Sequence, residues 1–152
     1  MEKLKVRRTH IALFVRDPHE SAKWYSDVLA MQEVARGPHW SFMSFGANHH
    51  DIALIRTETD RHPDQTGLQH YGLEIEGGID DLRRLKGRLI NKGVNIVKTT
   101  NHGIGYGLYF TDPDGHRLEF FCDVMGDDEA AKKELHRLNA PSDPIDLPPL
   151  FD

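Results

Sequence analysis

At 152 residues, with 38% apolar and 28% charged residues, the chain has the length and composition of one compact globular domain. A net charge of -5, with Lys and Arg spread along the sequence, leaves no electrostatic footprint for nucleic acid. No apolar run is long enough to span a bilayer, MEKLKVRRTH lacks the apolar segment of a secretory signal, and the single Cys122 cannot close an internal disulfide, which together predict a cytoplasmic protein.

Residues 9–15 alternate, with His10, Ala12 and Phe14 on one face and Ile11, Leu13 and Val15 on the other, the pattern of a strand. Asp17 as N-cap, Pro18 at the first helical position and Glu20 completing a capping box then start a helix carrying Ala22, Tyr25, Val28 and Leu29 at helical spacing. Strands are expected near 32–36, 40–45 and 51–56. The pattern restarts at Gln69-His-Tyr-Gly-Leu-Glu-Ile75, where Tyr71, Leu73 and Ile75 oppose His70, Gly72 and Glu74. Asp80 is the expected cap of a second helix with Leu82, Leu85 and Leu89 on its apolar side. Strands follow near 94–99, 107–111 and 116–123, the last two joined by the turn-forming Asp112-Pro-Asp-Gly115. A helix over 128–138 and an irregular tail with Pro141, Pro144, Pro148 and Pro149 close the chain, the tail lying over the body or onto a partner chain.

Strand, helix and three strands thus occur twice, and His10 and His70 open the two copies at matching positions. The expected fold is α+β, two βαβββ modules (about 7–58 and 67–123) forming a curved mixed sheet that encloses a metal-containing cup. One domain is expected over 1–126, with the helix and Pro-rich tail over 127–152.

Ten histidines invite a search for a metal site. His10 and His70 face away from the helix-packing sides of their strands. In the last strand Arg117, Glu119 and Phe121 oppose Leu118, Phe120 and Cys122, so Glu119 is a carboxylate on an otherwise apolar strand, costly to bury without a cation or hydrogen bond. Two imidazoles and one carboxylate are the donor set of non-haem iron(II) sites. Satisfied core histidines and an arginine partner for Glu119 explain the same residues one at a time, whereas a metal explains all three together.

These residues resemble the vicinal oxygen chelate superfamily (glyoxalase, bleomycin resistance, extradiol dioxygenase), and within it single-domain type I extradiol, or catechol, dioxygenases. The likeness covers nearly all of 7–123. Its most specific part is Tyr109-Phe-Thr-Asp-Pro-Asp-Gly-His-Arg-Leu-Glu119, similar to the family's last hairpin with its tyrosine, D-P-x-G turn and liganding glutamate. Asn48-His-His-Asp-Ile-Ala-Leu54 is similar to the H-H-x-x-A-L strand whose second histidine is the acid/base, and His102-Gly103 resembles an active-site H-G motif, here in a shorter loop. The resemblance implies His10, His70 and Glu119 as ligands of iron(II), with manganese(II) the alternative. It implies His50 as acid/base, Tyr109 and His102 as holders of developing charge, and insertion of both atoms of O2 into a catecholic substrate. It also implies a homo-oligomer, dimer or higher; charge and the lack of a long apolar run, rather than the resemblance, predict neither nucleic acid nor membrane as a partner.

Period 2 places His50 on one face with Ile52 and Leu54, and Gly103, Gly105 and Gly107 suit a flexible loop. His49 is expected to be a plain loop residue, and His19, His62, His116 and His136 to be solvated. The chain departs from the family in its single domain, in the polar insert 57–65, and in Asp51, where a small hydroxyl residue is common. A glyoxalase-like or antibiotic-resistance metalloenzyme, or a metal-free sequestering protein, are the alternatives on this scaffold.

Overall fold

The computed structural model describes residues 4–62 and 64–152, which fall into two compact units, one ending at Arg61 and the other starting at His62. The first holds β1 (Ile11–Val15), α1 (Pro18–Leu29), β2 (Gln32–Gly37), β3 (Trp40–Ser44) and β4 (Ile52–Arg56). The second holds β5 (Tyr71–Glu74), α2 (Ile79–Asn91), β6 (Ile96–Asn101), β7 (Gly105–Thr111), β8 (Arg117–Asp123), α3 (Asp128–Leu138) and β9 (Asp143–Pro144). The repeat read from the sequence is therefore present, as mixed α+β with two open sheets, one per module. No helix among the described residues is long and apolar enough to cross a membrane.

In the first unit the strand order is β1-β4-β3-β2, with β1 and β4 parallel and the other pairs antiparallel. Leu13 lies beside Leu54, and these two with Met43 are buried where α1 packs on β3 and β4 through Ala22, Tyr25 and Leu29. The helix starts as expected: Asp17 Oδ1 accepts the backbone N–H groups of His19 and Glu20. Glu20 turns to the Lys23 ammonium instead, 2.7 Å away.

The second sheet runs β5-β8-β7-β6-β9, with β5 parallel to β8. Leu108, Phe110, Leu118 and Phe120 are buried with Leu82 and Leu89 of α2, and the rings of Phe110 and Phe120 lie 4.7 Å apart. The cap of α2 is Gly78 rather than Asp80. Asp81 at N3 reaches back to the Gly78 N–H at 2.9 Å, while Asp80 pairs with Arg83, so the first-turn acids serve the helix from inside it. His116, expected in solvent, is buried (8% exposed) because Asp112 accepts both its ring Nδ1–H at 2.8 Å and its backbone N–H at 2.9 Å, which locks the turn.

The tail is ordered onto the second unit. β9 pairs with β6, the Ile145 N–H donates to Thr99 O, and Thr99 Oγ1 donates back to Ile145 O at 2.7 Å. Leu147 is buried, with its carbonyl taking the Lys86 ammonium at 2.6 Å.

Candidate active site

The register of the second sheet places Glu119 between Gly72 and Tyr109. Period-2 alternation puts these side chains opposite the Leu118–Phe120 core face, and a cavity of about 340 Å³ opens beside His70, His102, Tyr109 and Glu119. Glu119 is 7% exposed. Its Oε2 lies 3.0 Å from His102 Nε2, which also lies 2.9 Å from Thr100 Oγ1 and 3.2 Å from the Tyr109 hydroxyl. The short loop thus does bring His102 to the predicted glutamate and tyrosine. Burial, with the hydrogen bond and charge of Glu119 added, pushes the Tyr109 phenol well above its ordinary value, so Tyr109 is a protonated donor.

His70 Nδ1 bonds the side-chain oxygen of Gln69. An amide oxygen only accepts, so Nδ1 carries the ring proton and Nε2 presents a lone pair. Metal-bound histidines are commonly held in this way. His70 Nε2 faces Glu119 Oε1 across 3.8 Å, too far for a hydrogen bond. The gap is within the roughly 4.2 Å that two donors, each about 2.1 Å from one ion, can span. The His70–Glu119 pair therefore fits two positions of a metal's coordination shell. Among the described residues no three His, Cys, Asp or Glu side chains are grouped to hold an ion by themselves.

Glycine makes this crowding possible. A Cβ on Gly107 would come within 2.4 Å of Glu119 Oε2, 2.9 Å of Thr100 Oγ1 and 3.0 Å of His102 Nε2. Gly105 and Gly107 are buried residues of β7, not loop hinges, and only Gly103, at φ +81, keeps a left-handed backbone before the strand.

In the first unit His10 is an exposed residue immediately before β1, and its ring lies 4.8 Å from that of His50. His50 is not on β4, which starts at Ile52, so the period-2 assignment with Ile52 and Leu54 fails. The bend is built by Asp51: its carboxylate accepts the Phe45 N–H at 2.8 Å and the Asn48 amide at 2.9 Å, and its own N–H donates to Met43 O. His50 stacks on Phe42 at 4.4 Å and 18°. His49 has more than a loop role: its Nδ1 lies 2.7 Å from that of His50, and its Nε2 is bonded by Arg8. Partial burial, then the neighbouring His49, His10 and Arg8, holds the His50 imidazolium pKa below its ordinary value.

Residues 7–120 match the profile of the Glyoxalase/Bleomycin resistance protein/Dioxygenase superfamily. The chain belongs to this superfamily. Among known proteins it is 28% identical over 134 residues to Biphenyl-2,3-diol 1,2-dioxygenase 3 and 30% identical over 117 residues to Biphenyl-2,3-diol 1,2-dioxygenase 2, both of Rhodococcus globerulus. These matches cover 86% and 75% of this chain and 70% and 61% of those proteins. It is also 25% identical over 138 residues to a lactoylglutathione lyase of Neisseria meningitidis, covering 83% of this chain and 97% of the lyase. A solved glyoxylase/bleomycin resistance protein/dioxygenase domain from Frankia sp. EAN1pec superposes with a TM-score of 0.65 at 26% identity, over 86% of this chain and 99% of that one. These named relatives are enzymes with more than one chemistry, so the scaffold fixes the family and leaves the reaction to the site.

Proposed function

We propose that the chain is an extradiol ring-cleaving dioxygenase, inserting both atoms of O2 into a catecholic substrate at a mononuclear iron(II) site. The observation that carries this reading is the lone-pair face of His70 set against the buried Glu119 carboxylate, in a cavity that also holds a protonated tyrosine and a second histidine. His70, Glu119 and His10 are the ligands we assign. Iron(II), or manganese(II), bound there supplies a Lewis acid and a template that holds diol and dioxygen together.

The side chains do the rest. Tyr109, kept protonated, donates its O–H to a substrate oxygen and so favours that oxygen as an anion. His102, with Nε2 3.2 Å from the same hydroxyl, is assigned with Tyr109 to hold the negative charge that develops on the substrate. His50, its pKa held below the ordinary value, is neutral near pH 7 with its one proton on Nε2, so it can give that proton as the ring opens and then take one back from the diol of the next turnover. Catechol and O2 combine one to one into a ring-opened hydroxymuconic semialdehyde-type product, so no external reductant enters the balance.

The test is direct. Protein purified without oxygen, loaded with iron(II) and mixed with substituted catechols should consume one O2 per diol and yield a yellow product. Stoichiometric iron with no oxygen uptake on any catechol of the panel would sink the reading.

A further inference from the structure

After α3 two successive residues lie in the left-handed region without being glycine, Asn139 at φ +57 and Ala140 at φ +46. Side chains are disfavoured there, so such a pair persists only where its surroundings fix the turn. Those surroundings are specific. The Asn139 and Ala140 N–H groups donate to His136 O and Leu135 O. Leu138 and Pro141 then close on Gly103, where a Cβ would stand 2.6 Å from Leu138 Cδ1 and 3.3 Å from Pro141 Cγ. Just beyond, β9 pairs with β6, with Asp143 opposite Asn101 and Pro144 opposite Thr100.

The turn delivers one carbonyl to the site. Pro141 O lies 3.2 Å from His102 Nδ1. A carbonyl only accepts, so Nδ1 keeps a proton and donates it there, whatever charge the ring carries. Nε2 is left on the opposite side of the ring, 3.0 Å from Glu119 Oε2 and 2.9 Å from Thr100 Oγ1. The main chain of His102 is set from the same direction. Its N–H donates to Gly105 O at 2.9 Å, and the residues just before it, Thr100 and Asn101, are the ones that β9 pairs with. The tail therefore grips both the imidazole and the strand that carries it.

We infer that Pro141, through its main-chain carbonyl, is a positioning residue for His102, held in place by the left-handed turn at 139–140 and by β9. The ring-cleavage reading supplies only what His102 then does beside Tyr109; the grip on the ring stands on the contacts themselves. Without that carbonyl the ring would be free to turn away from Glu119. With it, Nε2 is aimed before any substrate arrives, and such prior ordering is what lowers a barrier.

The test breaks the turn and leaves Pro141 and His102 unchanged. Ala140→Pro cannot adopt a positive φ and loses the N–H given to Leu135 O, Ala140→Val places a β-branched side chain in the left-handed region, and Ala140→Gly keeps the turn. Two-dimensional NMR of the metal-free full chain with isotope-labelled histidine, assigned with His102→Gln, reads the ring directly. A His102 Nδ1–H signal protected from solvent exchange is expected in the parent and in Ala140→Gly, and its loss in Ala140→Pro. In iron-loaded protein kcat for catechol should fall about tenfold in Ala140→Pro, with KM changed less than about twofold. Circular dichroism checks the fold, and should Ala140→Pro not fold, Ala140→Val carries the same comparison. No protected Nδ1–H in the parent, its survival in the folded variant, or its loss with kcat unchanged overturns the inference. Loss of the signal in the variant while the parent opens no catechol leaves the grip of Pro141 standing and removes the ring-cleavage reading. Turnover by the parent with the signal kept in the variant does the reverse.

Discussion

His49 and His50 are joined through their Nδ1 atoms at 2.7 Å, and the direction of that bond follows from Arg8. A guanidinium only donates, so His49 Nε2 accepts from Arg8 and its Nδ1 carries the proton donated to His50. Neutral His50 is thereby held with its own proton on Nε2, on the far side of the ring from His49.

Removing the donor frees that tautomer. His49→Ala is expected to lower kcat about tenfold, in the range found when groups that orient active-site histidines are removed, with KM changed less than about twofold. His49→Gln, which can still accept from Arg8 and donate to His50, should recover part of the loss. Steady-state oxygen uptake at saturating and limiting catechol separates the two constants. An unchanged kcat in His49→Ala would mean that the pair is a surface contact only.

The proposed ligands make a different prediction from the proposed acid/base. His10→Ala, His70→Ala and Glu119→Ala should lose iron, while His50→Ala should retain it and turn over poorly. Gln69→Leu removes the acceptor that holds His70 Nδ1–H, and should weaken metal binding about 10- to 100-fold without removing a ligand. Metal analysis after anaerobic purification, with competition against a chelator, reads each case. Full iron affinity in Gln69→Leu would show that the amide does not orient His70.

Gly107 offers a steric test. The added methyl of Gly107→Ala would stand 2.4 Å from Glu119 Oε2, well inside contact distance, and the nearest groups are the site's own. The carboxylate must move, so activity and iron affinity should both fall at least about tenfold, in proportion to lost geometry. Far-UV circular dichroism should stay unchanged. Retained iron and activity would mean that Glu119 has room to spare.

The periodic features of this fold were legible in the sequence, and the long-range ones were not. The helix α3 falls on 128–138 as expected, because Asp127 and its neighbours state its start locally; Asp127 Oδ1 accepts the Glu129 N–H at 2.9 Å. Alternation also placed Glu119 and Tyr109 opposite the buried Leu118 and Phe120, since a strand's faces are fixed by its own backbone. It failed at His50, because a bend tied by Asp51 ends the alternation two residues before β4. Thr100 and Gln69 were given no role, and His49 was read as a plain loop residue, because their roles come from hydrogen bonds that composition does not announce. The polar neighbours of the two motif histidines were the one available signal. A glycine directly opposite Thr100, as Gly107 is across β6 and β7, was readable only once the register was known.

The Pro-rich tail was also expected to be irregular, and its attachment gives the last prediction. Proline denies it a long strand, so it holds on by side chains and carbonyls: Leu147 is 1% exposed, the Lys86 ammonium takes Leu147 O, and Arg83 Nε donates to Pro148 O at 2.8 Å. The Leu150 N–H returns to Arg83 O at 3.1 Å, and Leu150 O fits against Gly87, where a Cβ would lie 2.2 Å away. Leu147→Ala leaves a cavity under this strap and should cost about 2–4 kcal/mol, the usual range for a buried leucine, lowering Tm by roughly 5–10 °C. Because β9 lies just upstream, amide exchange should quicken at Ile145, whose N–H donates to Thr99 O, before it does in the α2 core. Thermal unfolding and hydrogen exchange of Leu147→Ala read the two effects separately. An unchanged Tm together with unchanged exchange at Ile145 would show that the tail lies on the unit without stabilising it.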